Sequence, residues 1–119
     1  MKYKMGDIVF ARKAMNNESN EKVENHLYVI IDNDGNVVPA DYFGFVVSSQ
    51  TSKSKDNSIF KYNEPISMSE TNNLKSDSIV KCDQLFDIPA NKISIKIGTV
   101  TTEEMTRFLD AFEDFSNKN

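Results

Sequence analysis

Apolar residues fall along the chain in short runs with a two-residue period, and the period changes once, near the end. Ile8 and Phe10, with Val9 and Ala11 between and after them, predict a short strand behind Gly6-Asp7. The polar run Met15 to Asn25 has no apolar period and predicts an exposed loop. Leu27 to Ile31 is nearly continuous in apolar residues, which predicts a buried strand closed by the turn-forming Asp32-Asn33-Asp34-Gly35-Asn36. A third strand is predicted from Phe43 to Ser49, followed by loop chemistry from Thr51 to Ser58. Ile59–Tyr62 and Ile66–Met68 read as one interrupted strand, led on through Leu74–Ser78 to a further strand over Ile79–Gln84. Alternation there puts Lys81 and Asp83 on one face, Val80 and Cys82 on the other. Ile93, Ile95 and Ile97 alternate with Ser94 and Lys96 and predict a half-buried strand that stops at Gly98. The spacing then becomes helical. Thr101 and Glu104 form a T-x-x-E capping box, and Met105, Phe108, Leu109, Phe112 and Phe115 make one apolar stripe suited to packing on a sheet. The pattern predicts a mainly β fold of roughly six strands with a C-terminal helix.

With 119 residues and 39% hydrophobic content, the chain is expected to form one domain over residues 1–119, burying roughly two-thirds of its unfolded surface. No apolar run approaches the roughly 20 residues needed to cross a bilayer. The opening Met1-Lys2-Tyr3-Lys4-Met5-Gly6-Asp7 lacks the apolar stretch of a signal peptide, so a cytoplasmic protein without membrane attachment is expected. One cysteine, Cys82, and one histidine, His26, leave no clustered ligand set, and neither metal nor cofactor is expected. A net charge of −4 argues against holding nucleic acid by global electrostatics. Any such binding needs a local basic patch.

Several segments taken in order carry a resemblance: Gly6-Asp7-Ile8-Val9, Tyr28 through Asp34, Ser48-Ser49-Gln50, Ser78-Ile79-Val80-Lys81-Cys82-Asp83-Gln84, Lys96-Ile97-Gly98-Thr99-Val100 and Thr102-Glu103-Glu104-Met105. In this order and spacing they resemble the PemK/MazF family of small bacterial toxins along nearly the whole chain. The resemblance implies an SH3-like barrel with a C-terminal helix, a homodimer, and metal-independent endoribonuclease activity on single-stranded RNA with sequence preference. It also implies a cognate antitoxin that wraps the RNA groove. The family's chemistry is attack of a ribose 2′-OH on the adjacent phosphate, which leaves a 2′,3′-cyclic phosphate and a 5′-OH. That reaction needs a base, an acid, and donors for the developing phosphorane charge.

The same resemblance assigns candidate residues. His26 stands where the family carries an arginine, and Leu27 replaces the proline after it. Arginine offers phosphate a permanent fork, whereas histidine exchanges a proton near neutral pH, so His26 is either an acid or base or a weakened anion site. Glu21 matches a glutamate five residues before that arginine, with Glu24 in place of a common glycine; it is a proton-transfer group or a solvated loop charge. Ser48 occupies the position of a catalytic threonine or serine, whose hydroxyl can donate to phosphate; otherwise it satisfies local backbone. Lys81 and Asp83 match an arginine and the aspartate of a shared Asp-Gln, and are either site residues or an exposed ion pair. Gln50, Lys53, Lys55 and Gln84 are the candidate RNA-binding residues, the two lysines being RNA contacts or solvated loop charges. A catalytically impaired relative that binds protein, like the gyrase-poisoning toxins, is the alternative reading, supported by the missing Arg-Pro. A proline-peptide module ranks last, because no tryptophan or surface aromatic cluster is evident.

Overall fold

Strand alternation divides the apolar residues of the computed structural model, which describes residues 2–56 and 58–118, between two separate cores. Met1, Asn119 and Asn57, the last within the predicted 51–58 loop, lie outside the described residues. The elements are β1 (Asp7–Asn16), β2 (Lys22–Asn33), β3 (Asp41–Ser48), β4 (Asn63–Ile66), β5 (Ser78–Pro89), β6 (Ile93–Thr99) and α1 (Thr102–Asn117). Short 3-10 turns cover Thr51–Lys53, Ser58–Phe60 and Ala90–Lys92. All pairings are antiparallel, in the order β4-β5-β3-β2-β1-β6. The end of β1 also pairs with β5, Met15 opposite Asp87 and Asn16 opposite Phe86, so β1, β2, β3 and β5 close into a circuit of pairings.

Both faces of the central strands are covered, which is why Leu27 to Ile31 reads as a continuous apolar run rather than an alternating one. Val9, Tyr28, Ile30, Val46 and Phe86 fill one core, and Ile8, Val29, Phe45, Val80 and Cys82 fill the other with Met105, Phe108 and Ala111 of α1. Cys82 is fully buried, on the face that alternation predicts. Helix α1 begins as its capping box requires: the Glu104 N–H donates to Thr101 Oγ1 at 3.1 Å, and the Thr101 N–H to Glu104 Oε1 at 2.8 Å. Phe112 packs on Phe45 with ring centroids 5.3 Å apart. No helix among the described residues is long and apolar enough to cross a membrane.

Three boundaries differ from the sequence reading. The polar run Met15–Asn25 is largely strand: Lys13 faces Glu24, Ala14 faces Val23 and Met15 faces Lys22, so the loop shrinks to residues 17–21. A two-stranded ribbon needs only backbone bonds and one small buried contact, here Ala14, and cross-strand charges of opposite sign support it. Ile59–Tyr62 is not strand, and β4 is instead Asn63-Glu64-Pro65-Ile66, with Asn63 and Glu64 buried. Their polar groups are satisfied from outside the strand, since Asn63 Nδ2 donates to the Lys53 carbonyl and Glu64 takes Lys55 and Arg107. β5 continues to Pro89, past the expected end at Gln84, because Phe86 and Ile88 bury into the first core.

Candidate functional site

His26, Ser48, Gln50 and Lys81 line one concavity of about 320 Å³, together with Val46, Val47 and Ser49. Register brings them together: β3 lies between β2 and β5, with Leu27 opposite Val47 and Ser48 opposite Ile79, while Lys81 faces Asn63 of β4. The β1–β2 ladder skips the pair between Ala11–His26 and Lys13–Glu24, and there Asn25 adopts φ +59°. Asparagine is among the few residues that visit this left-handed conformation. Exposed His26 then donates through its Nδ1–H to the Asn25 carbonyl at 2.9 Å. A carbonyl only accepts, so Nδ1 carries the hydrogen and Nε2 of the neutral ring keeps its lone pair for a proton acceptor role.

Ser48 Oγ accepts the Gln50 N–H at 3.2 Å, which leaves its own hydroxyl hydrogen free for another acceptor. Lys81 is half-buried and forms no ion pair among the described residues. An imidazole, a hydroxyl, a carboxamide and an ammonium lining one concavity are groups with the chemistry to donate hydrogen bonds to an anion such as a phosphodiester.

Other expected members lie elsewhere. Asp83 and Gln84 face a separate concavity of about 530 Å³ with Asn16, Glu18, Phe112 and Phe115. The expectation that Asp83 shares a face with Lys81 fails because β5 bulges: between the Phe45–Leu85 and Val47–Val80 pairs, only Val46 stands opposite Lys81, Cys82, Asp83 and Gln84. No ion pair joins the two, and Asp83 Oδ1 is buried without a hydrogen-bond partner. Glu21 sits in the β1–β2 turn, its N–H on Ser19 Oγ, about 16 Å along the chain from His26 at strand rise. Lys55 is committed to Glu64 at 3.1 Å, and Lys53 is not on the cavity wall.

Glu64 is the residue that the pattern did not single out. Its Oε1 receives both Lys55 Nζ and Arg107 Nη1, at 3.1 and 3.0 Å, and so ties the segment after β3 to α1. Asn63-Glu64-Pro65 carries no strand signal, and the partners are 9 and 43 positions away. Burial pushes the Cys82 thiol far up, with the Glu64 charge adding to it, so Cys82 is a packing residue and not a nucleophile. Among the described residues no three His, Cys, Asp or Glu side chains are grouped to hold a metal.

Comparison with known proteins agrees with the fold. The family model described as PemK-like, MazF-like toxin of type II toxin–antitoxin system matches residues 4–115. The Mycobacterium tuberculosis toxin MazF-mt6 shares the fold, with a TM-score of 0.65 at 14% identity over 95% of this chain and 98% of that chain. No curated protein matches the chain in sequence. A match over nearly the whole chain, together with the same arrangement of sheet and terminal helix, places this protein in the PemK-like, MazF-like toxin family of type II toxin–antitoxin systems.

Proposed function

We propose that the protein is a metal-independent endoribonuclease of single-stranded RNA, acting in the cytoplasm as a homodimer and held in check by a cognate antitoxin. The observation that carries this reading is the convergence of His26, Ser48, Gln50 and Lys81 on one small cavity, together with membership of a toxin family. His26 Nε2 takes the proton of a ribose 2′-OH, and the 2′-oxygen attacks the adjacent phosphorus. The bond to the 5′-oxygen of the next nucleotide breaks, and that oxygen takes a proton from the Lys81 ammonium. Ser48 and Gln50 donate hydrogen bonds to the phosphorane oxygens as charge develops there. The products are a 2′,3′-cyclic phosphate and a 5′-OH end.

Replacement of the family arginine by His26 fits a proton-transfer role better than a clamp, because the Asn25 carbonyl fixes the tautomer that leaves Nε2 free. Asp83 and Glu21 do not line this cavity and have no part in this reading. Incubating the purified protein with a mixed RNA pool and mapping new 5′-OH ends tests the reading. New ends should accumulate at the same rate with excess EDTA. Absence of cleavage, or abolition by chelation with rescue by magnesium or manganese, overturns it and leaves the protein-binding alternative.

A further inference from the structure

A second groove opens directly beside the His26 cavity, and apart from the shared His26 and Ser48 its lining has no role in the chemistry above. It holds about 500 Å³, within the range of small-molecule sites. Phe10, Leu27, Val47, Leu74, Ile95 and Ile97 supply its apolar wall, and the two concavities share His26, Val47, Ser48 and Ser49. Ile95 is 57% exposed, an uncovered large aliphatic side chain on an edge strand. Its opposite rim is polar, formed by Asn73, Lys75 and Ser76.

That rim is held in place. Asn72 is fully buried, and its side chain bonds to Ser67, Ser69 and Leu74. Gly98 of β6 lies so close to this segment that a Cβ there would stand 2.6 Å from the Asn72 backbone. Asn73 has φ +54° and donates from Nδ2 to the Ile97 carbonyl at 2.7 Å. Its Oδ1 has no partner among the described residues and remains an acceptor on the groove rim.

We propose that this groove receives the nucleobase adjoining the phosphate bound at His26, and that Asn73 Oδ1 reads an exocyclic amino group on it. The proposal rests on the ribonuclease reading for the position of the phosphate. A flat π-face is sequence-tolerant on an apolar wall, so the wall holds any base and the rim discriminates. Adenine, cytosine and guanine carry an amino group that Asn73 accepts; uracil does not. Lys75, exposed and without an ion pair among the described residues, supplies a cation for the next phosphate.

The test uses the full chain with two readouts. Methyl NMR of Leu74, Ile95 and Ile97 is followed during titration with single-stranded RNA hexamers and, as control, ribose 5-phosphate. In parallel, cleavage ends are mapped for the parent, Asn73→Gly and Ile95→Ala; glycine accepts the positive φ at position 73, and Ile95 is exposed, so both variants should fold. The methyls should shift with RNA and not with ribose phosphate. Asn73→Gly should flatten the preference against uracil at one position beside the cut, by about two- to tenfold for a single hydrogen bond. Ile95→Ala should weaken hexamer binding for all bases alike. Unmoved methyls, or an unchanged preference in Asn73→Gly while cleavage continues, overturn the subsite and leave the nuclease standing. Shifted methyls without any cleavage keep the subsite as an RNA contact and remove the nuclease. Methyl shifts that follow protein concentration without RNA show a second copy in the groove and overturn the proposal.

Discussion

His26 shows how one backbone irregularity prepares a side chain. Asn25 leaves the ladder at φ +59°, its carbonyl turns to accept the imidazole Nδ1–H, and the ring is presented to the cavity with one nitrogen committed. Asp34 uses the same economy in the opposite sense, as a carboxylate serving donors. Its oxygens accept the N–H groups of Asn36, Ala40 and Asp41 at 3.0, 2.9 and 3.0 Å and fix the β2–β3 connection. These bonds, that of Asn36 first, hold its carboxyl below the usual aspartate range. A lowered folded-state pKa gives stability that is present above the unfolded value and lost as pH falls through the folded one. Asp34→Ala should therefore be less stable than the parent near neutrality, and the gap should narrow as acid denaturation is approached. Equal acid sensitivity of the two, followed by thermal melts across pH, would contradict this role.

Among the elements, α1 is the most legible, because its cap, stripe and start all follow from side-chain spacing within one segment. Thr101→Ala removes the acceptor for the Glu104 N–H and should cost about 1 kcal/mol, read as a lower urea midpoint with unchanged slope. A loss within error would mean that water or another residue satisfies that N–H. The strands β1, β2 and β6 are legible as strands from their apolar residues, but the half-buried face expected of β6 is not kept: its register against β1 shifts between Ile95 and Ile93, and Ile95 stays exposed. The polar ribbon ends of β1 and β2 and the short β4 are not legible, since they are set by partners distant in sequence: Lys22 by Met15, Glu64 by Arg107. The site divides the same way. Family spacing selected His26, Ser48, Gln50 and Lys81, which do converge, but no local pattern marks the β5 bulge that carries Asp83 to another concavity. Nor does any pattern mark Asn73, whose placement comes from Gly98 and Ile97 on a strand much later in the chain.

At the scale of the molecule, net charge −4 and a cavity with one ammonium free of ion pairs among the described residues mean that the proposed RNA substrate would have to be held locally rather than by a broad field. A homodimer would set two such cavities on one assembly, and light scattering at micromolar concentration should report twice the 13.5 kDa chain mass; a persistent monomer would remove the paired sites. The central claim is that His26 moves a proton. It is tested most directly by the pH–rate profile for cleavage of a single-stranded RNA oligonucleotide by the parent, His26→Ala and His26→Arg, with folding and RNA affinity checked for each. A parent rate that rises with pH is expected, with a loss of about 100- to 10,000-fold in His26→Ala together with that dependence, and no rescue by arginine. Full activity in His26→Ala, or arginine restoring the parent rate as an electrostatic clamp would, contradicts that claim.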